Sequence, residues 1–351
     1  MADAPESDSG SPRPEPPILT LAPMQDVTDY AFWKLMSAYG GPDIYFTEYF
    51  RVTPTYRLGG EILKSIKYNP TGKPAIAQVI GNDIPALVRV AKELQQMDII
   101  GVDLNLGCPA PVVYRKMAGG GLLRDAARVR DIIHALRDAV SIQFSVKTRT
   151  GFESTDQFGD FLEIFAGSGI DVLTIHGRTV KDMYRSAVNY DLIRKAVEFM
   201  PCPVWANGNI YSAEKADRVA KHTGAAGLMI GRGAIRNPWI FTQIKDFYQG
   251  KQLFYPRGTD VLAYIHALSE AVTSPQAPTK SRVHHLKKYM NFIGLGIEPQ
   301  DTFLHSIRRA ASLEEFFAIC REFLDHDRPM TMTPFAPESL PETDVVAGCH
   351  L

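Results

Sequence analysis

Apolar residues along this chain fall into two alternating kinds of run. Short, nearly continuous apolar stretches occur at residues 18–23 (ILTLAP), 44–48 (IYFTE), 75–80 (AIAQVI), 100–105 (IGVDLN), 142–148 (IQFSVKT), 172–177 (VLTIHG), 203–207 (PVWAN) and 227–231 (GLMIG). Runs of this length predict strands buried on both faces of a parallel sheet. Between them apolar positions recur at helical spacing. Examples are 83–97, with Asp83 as cap and Pro85 in the first turn, 125–140 behind Asp125, and 212–222 behind Ser212.

Eight strands alternating with helices can close as a barrel or lie open as a doubly wound sheet. Polar residues decide between the two. Pro23-Met24, Glu48, Gln78, Asn105, Lys147, His176, Asn207 and Gly231-Arg232 all fall near the carboxyl ends of predicted strands. A barrel gathers those ends at one mouth, whereas an open sheet would spread them along an edge without a common target. The expected fold class is therefore α/β, a (β/α)8 TIM barrel over residues 18–250. After it the alternation stops. Segments 259–272, 280–293, 300–310 and 312–325 predict helices of a small C-terminal helical bundle domain over 259–328. Residues 1–17 read as a disordered tail and 329–351 as an irregular one.

Composition narrows the function classes modestly. A length of 351 residues fits one barrel with an appendage, and a net charge of -1 argues neither for nor against nucleic acid. Cys108, Cys202, Cys320 and Cys349 are scattered without a C-x-x-C pair, which points to a reducing compartment and no metal site. Residues 1–17 lack the apolar core of a signal peptide, and no apolar run has the length of a membrane span. A cytoplasmic monomer without metal or membrane partner is expected.

Candidate chemistry gathers at the strand ends. Cys108 stands in NLGCPAPVVYRKMAGGGLLRD (105–125) and is either a catalytic thiol or a small buried hydrophobe. The glycine run 119–121 favours the first reading by letting backbone approach a ligand closely. Lys147 in SVKTRTG could form a Schiff base, contact phosphate, stabilise negative charge on a cofactor, or snorkel to solvent. His176 in TIHGRT is structural or, with Gly177-Arg178, part of an anion-binding turn. ANGNIYS (206–212) and MIGRGAIRNPWIF (229–241) follow the last two strands, where this fold builds its phosphate cradle. Glycines 208, 231 and 233 bare the backbone there, and Arg232 adds charge.

Taken in order, APM (22–24), GCP (107–109), VKTRTGF (146–152), TIHGRT (174–179), NGNI (207–210) and GRGAIRNPWIF (231–241) resemble the tRNA-dihydrouridine synthase family. The resemblance implies an FMN enzyme that uses NADPH to reduce C5=C6 of selected uridines in tRNA. It assigns FMN contacts to Ala22, Pro23, Met24, Gln78, Lys147, His176, Asn207, Gly208, Asn209, Gly231 and Arg232. It makes Cys108 the general acid, sets Asn105 near the uracil, and offers Arg178 and Arg185 (in DMYRSA) for substrate contact. Two features depart from the family pattern. Asn209 stands where an acid is frequent, and Val112-Val113 precede Arg115 and Lys116 in the loop after Cys-Pro. A barrel mouth alone offers too little surface for a folded RNA. The acid-free segment KSRVHHLKKYM (280–290), with Lys287 and Lys288 on one helix face, is expected to hold tRNA phosphates. The competing readings are an FMN barrel oxidoreductase acting on a small molecule of dihydroorotate or enoate type, a Schiff-base lyase using Lys147, and a non-catalytic RNA-binding barrel.

Overall fold

The computed structural model describes residues 15–330. The tails expected at 1–17 and 329–351 therefore lie outside the described residues, except for 15–17 and 329–330. The strands are β1 (Ile18–Leu21), β2 (Ile44–Phe46), β3 (Phe50–Arg51), β4 (Ala75–Ile80), β5 (Gly101–Leu106), β6 (Gln143–Arg149), β7 (Val172–His176), β8 (Val204–Asn207) and β9 (Gly227–Ile230). All pairings between these strands are parallel, and β2 pairs with both β1 and β4, which closes an eight-strand barrel. The eight expected strands are all present. The two-residue β3 is additional, a short extension that pairs with the far end of β4 through Phe50 and Val79.

Helices form where capping and amphipathic spacing coincide. Asp83, Asp125 and Ser212 each accept a backbone N–H at the start of Ile84–Leu94, Ala126–Ala139 and Ala213–Thr223. The inward faces of these helices, such as Leu87, Val90 and Leu94, pack on the outside of the strands in one large core. Inside the barrel, a smaller apolar cluster of Ala22, Phe46, Ile76, Val172, Trp205 and Met229 fills the interior. Inward-facing polar residues come from alternate positions along the strands, the period of two that a pleated strand imposes.

The C-terminal helices Gly258–Val272, Thr279–Ile293, Gln300–Arg309 and Leu313–Leu324 match the expected four within two residues. Three side-chain-to-backbone hydrogen bonds fasten them to the barrel: Tyr289 Oη to Val27 O (3.0 Å), Tyr264 Oη to Ile235 O (2.8 Å) and Arg236 Nε to Phe292 O (3.0 Å). Val27 is held on both sides, since its N–H also donates to the buried Glu48 carboxylate at 3.0 Å. Burial pushes the Glu48 carboxyl up to about 7. Tyr289→Phe keeps the ring that stacks on Phe32 but leaves the Val27 carbonyl without its donor. It should cost about 1–2 kcal/mol, measured by urea unfolding. An unchanged midpoint would mean that the bond adds nothing to docking.

Candidate active site

Beneath the barrel mouth a buried polar chain fixes the Cys108 loop. Asp103 accepts hydrogen bonds from Ser145 Oγ (2.6 Å) and Gln78 Nε2 (2.7 Å). Gln78 Oε1 in turn accepts from Asn105 Nδ2 at 2.7 Å. That fixes the Asn105 amide so that its oxygen receives the backbone N–H groups of Gly107 (3.0 Å) and Cys108 (2.9 Å). Burial raises the Asp103 carboxyl to about 6, against the hydrogen bonds that lower it. It is still mainly ionised at neutral pH and stays an acceptor. Gln78 thus lies a layer below the cavity and does not line it.

The mouth opens into a cavity of about 510 Å³, within the usual size of a small-molecule site. Residues of every functional class named from the sequence meet there. The wall includes Pro23 and Met24, Asn105 and Cys108, Lys147, His176 and Arg178, Asn207 to Asn209, and Gly231-Arg232. Ala22 is also on it. Arg185, Lys287 and Lys288 are not. Arg185 is exposed on the loop after β7, and the two lysines are half-buried on helix Thr279–Ile293.

Charge is the cavity's main chemical property. Lys147, Arg149, Arg178, Arg232 and Arg236 line it, and no Asp or Glu among the described residues does. Lys147 Nζ donates to the neutral Asn207 Oδ1 at 3.2 Å. Asn207 Nδ2 anchors to Met229 O at 2.8 Å, so its oxygen is turned toward the lysine. Burial, then the Arg149 cation, lowers the Lys147 ammonium to about 8. Asn209, at a left-handed φ of 47°, places one amide oxygen between Arg178 Nη1 (3.3 Å) and Arg232 Nη2 (3.1 Å). Two guanidinium forks share one neutral acceptor, leaving donor capacity over. Tyr184 spreads its ring under Arg232 (4.3 Å) and Arg149 (5.4 Å). His176 is buried, and its Nδ1 finds no partner among the described residues. Burial, followed by the surrounding cations, lowers its pKa well below the ordinary value, so the ring is neutral.

The backbone around this cluster is crowded. A Cβ on Gly233 would lie 2.1 Å from Ile210 O, so the two loops after β8 and β9 touch through that glycine. The run 119–121 does not approach the cavity as the sequence suggested. It forms a buried 3-10 turn, Gly119–Arg124, under the Cys108 loop. A Cβ on Gly120 would meet Val180 Cγ2 at 2.5 Å and Cys108 O at 2.9 Å. Its glycines are needed for packing against the loop and not for contact with a ligand.

Several wall residues had no role assigned from sequence. Arg149 donates to Gly107 O (3.0 Å), Thr179 O (2.7 Å) and Met183 O (2.8 Å), tying the Cys108 loop to the loop after β7. Its signal was available, because Lys147 and Arg149 lie two apart on one strand and share a face. Arg236 lies four residues after Arg232, on the same helical face. Tyr49, Tyr184, Phe292, Leu295 and Gln300 are brought to the wall by tertiary packing.

A family model described as "Dihydrouridine synthase (Dus)" matches residues 20–325. The chain belongs to the dihydrouridine synthase family. Among similar proteins, "tRNA-dihydrouridine synthase B" of Pseudomonas putida is 35% identical over 260 residues, covering 71% of this chain and 76% of that protein. "tRNA-dihydrouridine(16) synthase" of Neisseria meningitidis is 28% identical over 313 residues, 87% of this chain and 94% of that protein. A solved structure of histamine dehydrogenase from a Rhizobium species superposes with a TM-score of 0.52 at 13% identity, over 71% of this chain and 49% of the other. That likeness concerns the fold alone. Membership in the family makes the chain an oxidoreductase. No helix among the described residues is long and apolar enough to cross a membrane, and they contain no His/Cys/Asp/Glu cluster suited to a metal.

The desolvated lysine gives a pH test. Lys147 loses its proton near 8 in the folded chain but near ~10.4 unfolded. Between those values the unfolded state binds more protons, so this group makes stability rise with pH, and it contributes no slope below about 8. In protein stripped of bound small molecules, unfolding free energy across that window should therefore climb relative to Lys147→Met. Parallel pH curves would show that the ammonium is solvated.

Proposed function

We propose that this chain uses FMN and NADPH to reduce C5=C6 of particular uridines in tRNA, giving 5,6-dihydrouridine, with Cys108 as general acid. The observation that carries this reading is one cavity holding a thiol beside five cations, with no carboxylate from the described residues. Such a wall favours an anionic cofactor and a reaction in which negative charge develops. FMN fits the donor set. Its phosphate would take up the guanidinium capacity that Asn209 leaves over at Arg178 and Arg232, with Gly208 and Gly231 exposing backbone beside it. Its ring system would meet Lys147, the unpartnered His176 nitrogen, Asn207, Ala22, Pro23 and Met24. When bound, FMN supplies the hydride that C6 of the uracil accepts.

The chain's own residues then have separable tasks. Lys147, still largely protonated at neutral pH, stabilises negative charge at the cavity wall. An anion beside it would raise its pKa and keep the charge in place. Asn105, aimed by Gln78 and Asp103, stands next to Cys108 where a uracil edge would be read. The Cys108 thiol gives its proton to C5 as the electron pair there becomes available. A uridine in folded tRNA must leave its stack to enter such a cavity. Phosphate contacts elsewhere, from Lys287 and Lys288 on the helical part, would hold the rest of the RNA. Arg178 has less freedom for substrate than the sequence suggested, because its Nε already donates to Ser186 O at 2.6 Å.

The purified protein should be yellow, and with NADPH it should reduce an unmodified tRNA transcript far faster than free uridine. A preference for the free nucleoside would favour a small-molecule oxidoreductase instead. Cys108→Ala should retain flavin and oxidise NADPH, while single-turnover reduction of tRNA falls by about two to four orders of magnitude. Undiminished reduction would remove Cys108 from the mechanism. Lys287→Glu with Lys288→Glu should weaken tRNA binding and lower its logarithmic salt slope by about one per lost phosphate contact. Equal affinity across a salt series would take the helical part out of RNA binding.

A further inference from the structure

We propose that Arg236 supplies a third guanidinium to the FMN phosphate, beside Arg178 and Arg232, and so sets a preference for the phosphorylated flavin. The inference rests on FMN being the cofactor, as proposed above, a reading that gives Arg236 no role. Local structure brings the arginines together. β9 ends at Ile230, and the chain passes at once into the short helix Arg232–Arg236. Residues four apart on a helix are neighbours on one face. Gly233 seats this helix on the loop after β8, where a Cβ would stand 2.1 Å from Ile210 O. Its far end is fixed by Asn237, whose N–H donates to Gly233 O at 2.9 Å and whose Nδ2 donates to Gln243 Oε1 at 2.7 Å. Gly208, Asn209, Gly231, Arg232 and Arg236 all reach the cavity wall from these two loops.

The helical part aims the Arg236 side chain. Its Nε donates to Phe292 O at 3.0 Å, near the end of helix Thr279–Ile293. Phe292 itself, with Leu295 and Gln300 beyond it, also lines the cavity. A guanidinium carries donors on all three nitrogens and no acceptor. With Nε engaged by that carbonyl, the terminal nitrogens remain, and no hydrogen bond among the described residues takes them up. Arg236 is buried yet lies on the cavity wall, so its charge is withdrawn from bulk water and open to a ligand. The wall offers it the Arg232 cation and no carboxylate from the described residues. Burial, then that cation, pushes the Arg236 guanidinium down to about 10, so it remains charged at neutral pH.

Charge and donor geometry select the ligand. A phosphate monoester carries roughly two negative charges at neutral pH and several strong acceptor oxygens. Arg178 and Arg232 meet it with part of their donor capacity already turned to Asn209. Arg236 adds a fork whose terminal nitrogens are uncommitted. Two buried cations one helical turn apart repel each other, and a dianion between them replaces that repulsion with attraction to both. Riboflavin shares the ring and ribityl chain of FMN but lacks the phosphate, so Arg236 gains no partner from it.

The test compares two flavins on the full-length protein stripped of bound flavin. The change in flavin fluorescence on binding gives Kd for FMN and for riboflavin, in the parent and in Arg236→Met. The parent should bind FMN more tightly than riboflavin. Arg236→Met should weaken FMN about ten- to a hundredfold, the effect of losing a hydrogen bond to a charged group, and leave riboflavin unchanged. A loss shared equally by both flavins would make Arg236 only a clasp on Phe292 and overturn the proposal, as would a parent that binds the two alike. Should Arg236→Met fail to fold, Arg236→Gln keeps an N–H donor for the Phe292 carbonyl and puts the same question. An unchanged ratio of the two Kd values there would also overturn it. Arg236 fails alone if the parent prefers FMN and the variants keep that preference in full. The cofactor reading beneath it fails if the stripped parent takes up neither flavin.

Discussion

Five cationic side chains share one cavity wall with a neutral histidine, and no carboxylate among the described residues joins them. Removing cations from water costs free energy unless an opposite charge replaces the lost hydration. Among the described residues their hydrogen-bond acceptors are neutral: Asn207 for Lys147, Asn209 for Arg178 and Arg232, and backbone carbonyls for Arg149 and Arg236. The arrangement is held by the barrel around it and matched to an anion entering the mouth. Asn209 bears on this directly. An acid at that position would offset one of the two guanidinium charges internally, whereas the amide orients both and leaves their charge for a ligand.

The rest of the structure serves to hold this wall in place. Arg149 ties the Cys108 loop to the loop after β7, and Tyr184 from that loop lies under two of the cations. Below, the Ser145–Asp103–Gln78–Asn105 chain aims an amide oxygen at the backbone of Cys108. From the C-terminal side, Tyr289 grips the carbonyl of Val27, three residues from Met24 on the wall. The helix that supplies Tyr289 also carries Lys287 and Lys288.

Most of this was legible in the sequence where the signal is local. Buried strands read as continuous apolar runs, caps stood where helices begin, and polar residues at strand ends located one mouth. β3 was not legible because two residues carry no period. The glycine run 119–121 was misjudged because sequence shows that a backbone can come close to something without showing to what. Here the neighbours are Val180, Tyr114 and Cys108 itself. Arg149 was overlooked although it shares a strand face with Lys147, since the strand was ended one residue early. Tyr49 and the wall residues Phe292, Leu295 and Gln300 depend on contacts between distant parts of the chain, which periodicity does not encode.

The central claim is that this cavity makes dihydrouridine in tRNA. Mapping dihydrouridine position by position in tRNA from cells with and without the gene tests it most directly. A defined uridine position should lose its modification in the deleted cells and regain it when the parent gene is restored, but not when Cys108→Ala is supplied. An unchanged dihydrouridine map in the deleted cells would contradict the claim.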